Sequence, residues 1–270
     1  MADTSSAELA CLDGRIGPAG ETFLPVTDEG LLRGDGVFEV LRVYDGRPFA
    51  LAEHLDRMER SAHNLRLGVE VDRRAFGQEA GELLAERGGE AFDGCLRLVI
   101  TRGGRRLLVT EQLPPVADRI RLGAVSYAPT RVLDGIKSLS YAGNMLAGRL
   151  ARERGFDEAL LVTPHGRVLE APTSSFFWAD GDGHLSTPPL DDHILASITR
   201  RIVMEECDVR EAPVALDDLL AGASEAFLAS TTREVQPVAV IEGRDFGEPG
   251  PRTREAAERV GAYIQEALAT

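Results

Sequence analysis

A chain of 270 residues, 43% hydrophobic and 27% charged, is long enough to bury a large core in one or two domains. Its formal net charge of −14 disfavours broad binding to nucleic acid or to anionic membranes. Cys11, Cys95 and Cys207 are scattered with no CxxC pair, and His54, His63, His165, His184 and His193 show no short metal-ligand spacing. With no basic-then-apolar leader and no apolar run of ~18 residues, this reading expects a cytoplasmic protein without disulfides, metal or membrane span.

Along the chain, Val37–Tyr44 alternates and is rich in β-branched residues, so it reads as a strand. Asp45-Gly46 is a hairpin turn signal, and a short strand over 47–51 should return. Residues 53–67 carry Leu55, Met58, Ala62 and Leu65 at helical spacing before Gly68. A second helix is expected over 73–87, then strands over 95–101 and 119–127. Residues 128–136, with Pro129 and Gly135, read as a connector. Beyond it come a helix over 140–154, strands over 158–162, 168–170 and 176–179, a helix over 197–207, a strand over 226–230 and a final helix over 253–268. There is no regular βαβ alternation and no GxGxxG, which argues against a dinucleotide fold.

Lys137 is the only lysine; the other 29 of the 30 basic residues are arginine. A lysine amine can be deprotonated by its surroundings and attack a carbonyl, whereas a guanidinium stays protonated. Any imine-forming cofactor would therefore depend on this one side chain, although drift toward arginine explains the count equally well. Lys137 falls between the connector and a helix. Ser197-Ile198-Thr199-Arg200 looks like a helix N-terminus, able to bind phosphate or simply capped. Ser230-Thr231-Thr232 offers hydroxyls after a strand, as a solvated turn also would. Arg57 lies four residues after Glu53, the spacing of a surface ion pair, and Glu170 ends a strand, where a lone surface carboxylate is common.

Taken in order, Arg-Gly-Asp-Gly-Val-Phe-Glu (33–39), Glu-His-Leu-Asp-Arg (53–57), Lys-Ser-Leu-Ser-Tyr (137–141), Gly-Phe-Asp-Glu-Ala-Leu (155–160), Glu-Ala-Pro-Thr-Ser-Ser (170–175), Ile-Thr-Arg (198–200) and Ser-Thr-Thr-Arg-Glu-Val-Gln-Pro-Val (230–238) form a series. It resembles the fold-type IV pyridoxal-phosphate enzymes, or class IV aminotransferases, over about residues 20–245. The resemblance implies an α+β, two-domain architecture: a smaller N-terminal α/β domain (1–127), the connector (128–136) and a larger C-terminal pseudo-barrel that binds the cofactor (137–270). It implies pyridoxal phosphate bound covalently to Lys137, which also carries the proton of the reaction. It places Glu170 on the pyridine nitrogen, and Arg57, Ile198, Thr199 and Thr231 on the phosphate. Tyr141 matches a tyrosine near the cofactor ring oxygen, and Glu39 a glutamate close to the lysine. Such enzymes are homodimers with sites at the subunit interface.

The substrate is read from departures. The strand 37–44, the helix after it and the Ser-Thr-Thr block are most similar to D-amino-acid transaminases, yet Phe38 stands where those carry tyrosine. The histidine of their carboxylate clamp is missing from residues 101–108. Arg33, Arg97, Arg105 and Arg106 are the candidates for the substrate carboxylate, with Arg33 first because it borders the Gly-Asp-Gly motif; Thr232 and Phe38 complete the candidate substrate set. Ser140 and Ser175 replace asparagines of relatives. The expected activity is transfer of an amino group from a D-amino acid or an (R)-amine to a 2-oxo acid. The alternatives are 4-amino-4-deoxychorismate lyase, which shares the lysine but eliminates pyruvate, and a branched-chain L-amino-acid transaminase.

Overall fold

The computed structural model describes residues 8–269. These divide into two compact units, residues 8–114 with 135–141, and residues 115–134 with 142–269. The first unit contains β1 (Leu9–Leu12), β2 (Arg15–Pro18), α1 (Glu29–Arg33), β3 (Gly36–Tyr44), β4 (Arg47–Pro48), α2 (Leu51–Asn64), α3 (Arg73–Arg87), β5 (Gly94–Thr101) and β6 (Arg106–Glu111). Its six strands form one antiparallel sheet in the order β2-β1-β6-β5-β3-β4.

Strand alternation sorts β3 into two faces. Val37, Leu41 and Val43 pack with Leu96, Leu98 and Ile100 of β5 and with Leu55, Met58 and Ala62 of α2 into one apolar core. Glu39 shares that inward face and is fully buried. Phe38 and Val40 face the other way, beside Val99 and Arg97 in register. α3 starts at Asp72, whose carboxylate accepts from the Ala75 N–H, and it ends at Gly88.

Residues 135–141 belong to this unit, whereas the sequence reading began the second domain at 137. The cause is backbone pairing. Lys137 C=O accepts from Phe38 N–H at 3.1 Å, Leu139 N–H donates to Gly36 C=O at 2.9 Å, and Val37 and Ser138 form an antiparallel bridge. Gly36 makes this approach possible, since a Cβ there would lie 2.6 Å from Ile100 C=O and 2.7 Å from the Leu139 side chain.

The second unit contains β7 (Ile120–Ser126), α4 (Ala142–Glu153), β8 (Glu158–Val162), β9 (Ser175–Asp180), β10 (Leu185–Thr187), α5 (Ile198–Glu206), β11 (Val209–Glu211), α6 (Leu216–Gly222), β12 (Ala223–Ser230), β13 (Glu234–Ile241), β14 (Arg244–Asp245) and α7 (Pro251–Ala269). Its strands run β11-β10-β9-β12-β13-β7-β8, with β14 on β13. The β13–β7, β7–β8 and β10–β11 pairs are parallel. Leu122, Leu160, Phe176, Ala226 and Leu228 belong to one core cluster, and Ala147, Ala151, Leu161 and Leu169 to another. Val168–Glu170, read as a strand, forms only an isolated bridge from Val168 to Val162; Leu169 N–H donates to Leu161 C=O, and Leu161 N–H donates to Glu170 C=O. No helix among the described residues is long and apolar enough to cross a membrane.

Candidate active site

In the first unit, chemistry gathers around Lys137. Its backbone N–H donates to the Ser61 hydroxyl at 3.1 Å, its carbonyl bonds to β3, and its Nζ lies 4.5 Å from the centre of the Phe38 ring. The Tyr141 ring stands edge-on to Phe38 at 5.3 Å, and its own centre is 5.7 Å from the same Nζ. Two aromatic rings beside the amine favour a cation there.

Behind Phe38, on the inward face, α2 supplies a buried charge network. Helical spacing puts His54, Arg57 and Ser61 along one stripe of α2. Arg57 donates to both Glu39 oxygens, from Nε at 2.8 Å and from Nη2 at 2.5 Å. His54 Nδ1 lies 2.8 Å from Glu39 Oε2, while its Nε2 is buried without a hydrogen-bond partner. Burial alone would raise the Glu39 carboxyl, but the bonds and charge of Arg57 and the His54 N–H outweigh it and hold Glu39 at about 2. Burial lowers the His54 pKa below its ordinary value, opposed by Glu39 and assisted by the charges of Arg57 and Lys137. Arg57 is thus a buried partner of Glu39, where sequence spacing also allowed a surface pair with Glu53.

The candidate carboxylate-binding arginines have unequal surroundings. Arg33 is well exposed and pairs with Glu29 one turn earlier in α1. Arg105 reaches Asp13 at 2.7 Å, and Arg106 grips Glu79 with two donors. Arg97 pairs with Glu111, and its guanidinium also lies 5.5 Å from the Phe38 ring centre. Phe38 is therefore shared by Arg97 and Lys137.

In the second unit, the Glu170 carboxylate accepts from Leu195 N–H at 3.1 Å, which ties it to the segment leading into α5. Ser197 caps α5 by accepting from Arg200 N–H, and intrahelical bonding begins at Arg201. Ile198 and Thr199 therefore sit in the first turn, where N–H groups have no carbonyl behind them and the helix dipole is positive. Thr231 and Thr232 occupy the β12–β13 turn. Ser230, at the end of β12, is buried with a hydroxyl that meets no protein partner; Ser174, in the loop after Glu170, and Ser175, at the start of β9, are the same. Ser175 faces Ala229 across the ladder, so Ser175 and Ser230 lie at the same end of the β9–β12 pair. Tyr127 is half-buried; burial raises its pKa and the Glu170 charge adds to the rise. Its hydroxyl lies 3.5 Å from Asn144 Oδ1, and Asn144 in turn donates to Pro172 C=O.

Sequence reasoning overlooked His54, Ser61, Tyr127 and Asn144. The first two were within reach, because α2's inward stripe carries three polar residues where only apolar ones are expected. Asp180, Asp182 and His184 were also missed as a group; their ligand atoms lie within 4.8 Å of one another in the β9–β10 turn. Asp180 is already engaged there by the N–H groups of Asp182 and His184 and by Arg210.

Comparison with known proteins decides the family. The family model for class IV amino-transferases matches residues 36–241, more than half of the chain. The chain belongs to the class IV aminotransferases. A protein of Methanocaldococcus jannaschii with the provisional name branched-chain-amino-acid aminotransferase is 36% identical over 256 residues, covering 86% of this chain and 88% of that protein. The D-alanine aminotransferase of Bacillus licheniformis is 32% identical over 265 residues, covering 90% and 92%. The pyridoxal-phosphate-bound form of a hypothetical aminotransferase from Mycobacterium tuberculosis superposes with a TM-score of 0.83 at 28% identity, covering 96% of this chain and 99% of that one. The fold expectation holds: a mixed α and β chain with two sheets, matching fold-type IV transaminases.

Class IV aminotransferases use pyridoxal phosphate, and the residues present fit that group. It needs an amine to carry its aldehyde, a carboxylate for its ring nitrogen and donors for its dianionic phosphate. The first unit has one amine, Lys137. The second has Glu170, a helix start at Ile198–Thr199 and a hydroxyl-rich turn with the buried, unpartnered Ser230 hydroxyl beside it.

Proposed function

We propose that this aminotransferase moves the amino group of a D-amino acid to a 2-oxo acid, with Lys137 as the cofactor anchor and the group that moves the proton. Bound pyridoxal phosphate supplies an electron sink that stabilises negative charge at the substrate carbon. Glu170 would keep the ring nitrogen protonated, Ile198, Thr199 and Thr231 would hold the phosphate, and Arg57 would add its charge from a position fixed by Glu39. Tyr141, edge-on to Phe38, would border the ring. Ser61 and the β3 backbone fix the Lys137 main chain, so its amine swings from a rigid base.

The observation that carries an amino acid as donor, as opposed to a simple amine, is Arg97. Its guanidinium lies 5.5 Å from the centre of the Phe38 ring, whose centre is 4.5 Å from the Lys137 amine, so a substrate carboxylate that took the place of Glu111 on Arg97 would be held near the reacting amine. Handedness rests on similarity to the D-alanine aminotransferase along nine-tenths of the chain. The archaeal relative favours a second reading, an L-branched-chain donor. Elimination of pyruvate, the lyase alternative, finds no such support, since these relatives bear aminotransferase names.

A homodimer is part of this proposal. Phe23, Val26, Leu31 and Leu32 of the first unit are exposed, as are Met145, Leu146 and Leu150 on α4 of the second. Large apolar side chains clustered at the surface mark contact sites. Arg33 follows Leu31 and Leu32 on α1, so dimerisation over that patch would bring it to an interface. A cytoplasmic location agrees with three cysteines that are all free.

Half-reactions decide the donor. Bleaching of the holoenzyme's visible band by D-alanine and not by L-leucine supports the proposal; bleaching by L-leucine alone rejects it. For the carboxylate contact, Arg97→Ala should raise KM for amino acids by roughly tenfold or more while leaving an amine without a carboxylate little changed. Equal effects on both would remove Arg97 from the role.

A further inference from the structure

The β12–β13 hairpin is closed by a three-residue loop, Thr231–Arg233, between the paired Ser230 and Glu234. Arg233 N–H bonds back to Ser230 C=O at 3.3 Å, and Glu234 then adopts φ +53°. A left-handed residue at a hairpin closure is usually glycine. Glutamate is strained there, so contacts that hold the loop's shape matter.

The Arg233 side chain supplies the hold. It folds inward, four-fifths buried, and its Nη2 lies 3.1 Å from Glu158 Oε2 at the start of β8. Its Nη1 donates to Gln236 Oε1 at 2.5 Å, and Gln236 Nε2 donates to Ala117 C=O at 2.8 Å. Glu158 is itself buried, and its other oxygen accepts from Ala159 N–H at 3.1 Å. Space for this carboxylate exists because α4 carries glycine opposite it: a Cβ on Gly148 would lie 3.0 Å from Glu158 Oε1. The loop is thus fixed to β8 at one end and to the strand-leading segment at Ala117 at the other. Both Arg233 Nη groups are engaged by these partners, and beside the anchored turn the Ser230 hydroxyl is nine-tenths buried and meets no protein partner.

We propose that Arg233 is a positioning residue: its ion pair with Glu158 and its bond to Gln236 hold the Ser230–Glu234 turn in the shape that receives the cofactor phosphate. The inference rests on the reading of Thr231 as a phosphate contact. A lysine would keep the charge but could not make both bonds from one fork-shaped group.

The test compares full-length holoenzyme loaded with pyridoxal phosphate and the same protein reloaded with pyridoxal, which lacks the phosphate. Loss of the visible band on dilution gives retention of each, and circular dichroism checks folding. Thr231→Val should weaken retention of pyridoxal phosphate and leave pyridoxal unchanged. Arg233→Met should do the same, by roughly tenfold or more, with Arg233→Lys in between, the scale expected for charge-assisted hydrogen bonds. Adding Glu158→Gln to Arg233→Met should change little further, because the two act as one unit. If Thr231→Val is selective but the Arg233 variants weaken both ligands equally, or neither, the positioning role is wrong and the phosphate reading stands. If Thr231→Val has no selective effect, the turn does not hold phosphate and both fall. Should Arg233→Met fail to fold, Arg233→Lys and Glu158→Gln carry the same comparison.

Discussion

In the first unit, Glu39, His54 and Arg57 are buried and bonded to one another; in the second, Ser174, Ser175 and Ser230 are buried with hydroxyls that no protein group meets. The contrast follows from the cost of each kind of burial. A carboxylate at zero exposure is tolerable only if its charge is answered within the fold. A neutral hydroxyl left unpaired costs about 1–3 kcal/mol, which a protein can bear at a place whose partner is a ligand. The charge network therefore answers first to the folding of the lysine's surroundings, and under the proposed function the three hydroxyls are left for a ligand.

Substitutions can break this division. The largest expected effect is that of Lys137→Ala. With no second lysine in the chain, turnover should fall by ~10^4-fold or more, while the denaturation midpoint of the cofactor-free protein moves little. A variant with measurable turnover would place the chemistry elsewhere. Next, Glu39→Ala leaves Arg57 and His54 buried without their common partner and should cost about 3–5 kcal/mol in denaturant unfolding. Ser230→Ala, by contrast, should change the stability of the cofactor-free protein by less than about 1 kcal/mol and show its effect only in cofactor retention. Comparable destabilisation by both would erase the distinction between the regions.

Acid sharpens the same comparison. Glu39 is held at about 2, below the ordinary 4.5 of a glutamate, so its stabilisation is full above 4.5 and is lost as pH falls toward 2. His54 is lowered from 6.5, so the unfolded chain takes up a proton before the folded one does, and stability drops as pH falls through 6.5. Unfolding midpoints should therefore decline steadily from about pH 7 to 4, and the part of that decline between about 7 and 5 should vanish in His54→Leu. An unchanged profile in that variant would free His54 of the role. A modest effect is expected from Ser61→Ala, which removes one hydrogen bond to the Lys137 N–H, about 1 kcal/mol, and should lower kcat more than it raises KM.

Much of the fold was legible where caps or a short apolar run marked an element. The helix over 73–87 and the strand over 158–162 match observed elements at both ends, because Asp72 and Gly88 cap the first and Ala159, Leu160, Leu161 and Val162 form an apolar run in the second. Strands set by long-range pairing were not. β6 carries Arg106 and alternates weakly, so local pattern does not mark it; it is a strand because β1 and β5 flank it. β13 contains Pro237, which hid it as a strand. Lys137, Glu170, Ile198, Thr199 and Thr231 stood out because motif order carries them. The burial of Arg57 did not, because Glu39 and Arg57 meet only through the packing of α2 on β3. Nor was the place of Arg97 beside Phe38 visible, since it depends on strand pairing that puts both on one sheet face.

The most direct test of the account is borohydride reduction of the purified holoenzyme, followed by digestion and peptide mapping. A yellow protein should lose its visible band and yield one cofactor-bearing peptide, with the modification on Lys137. A colourless protein that takes up no pyridoxal phosphate, or a label fixed anywhere other than Lys137, would contradict it.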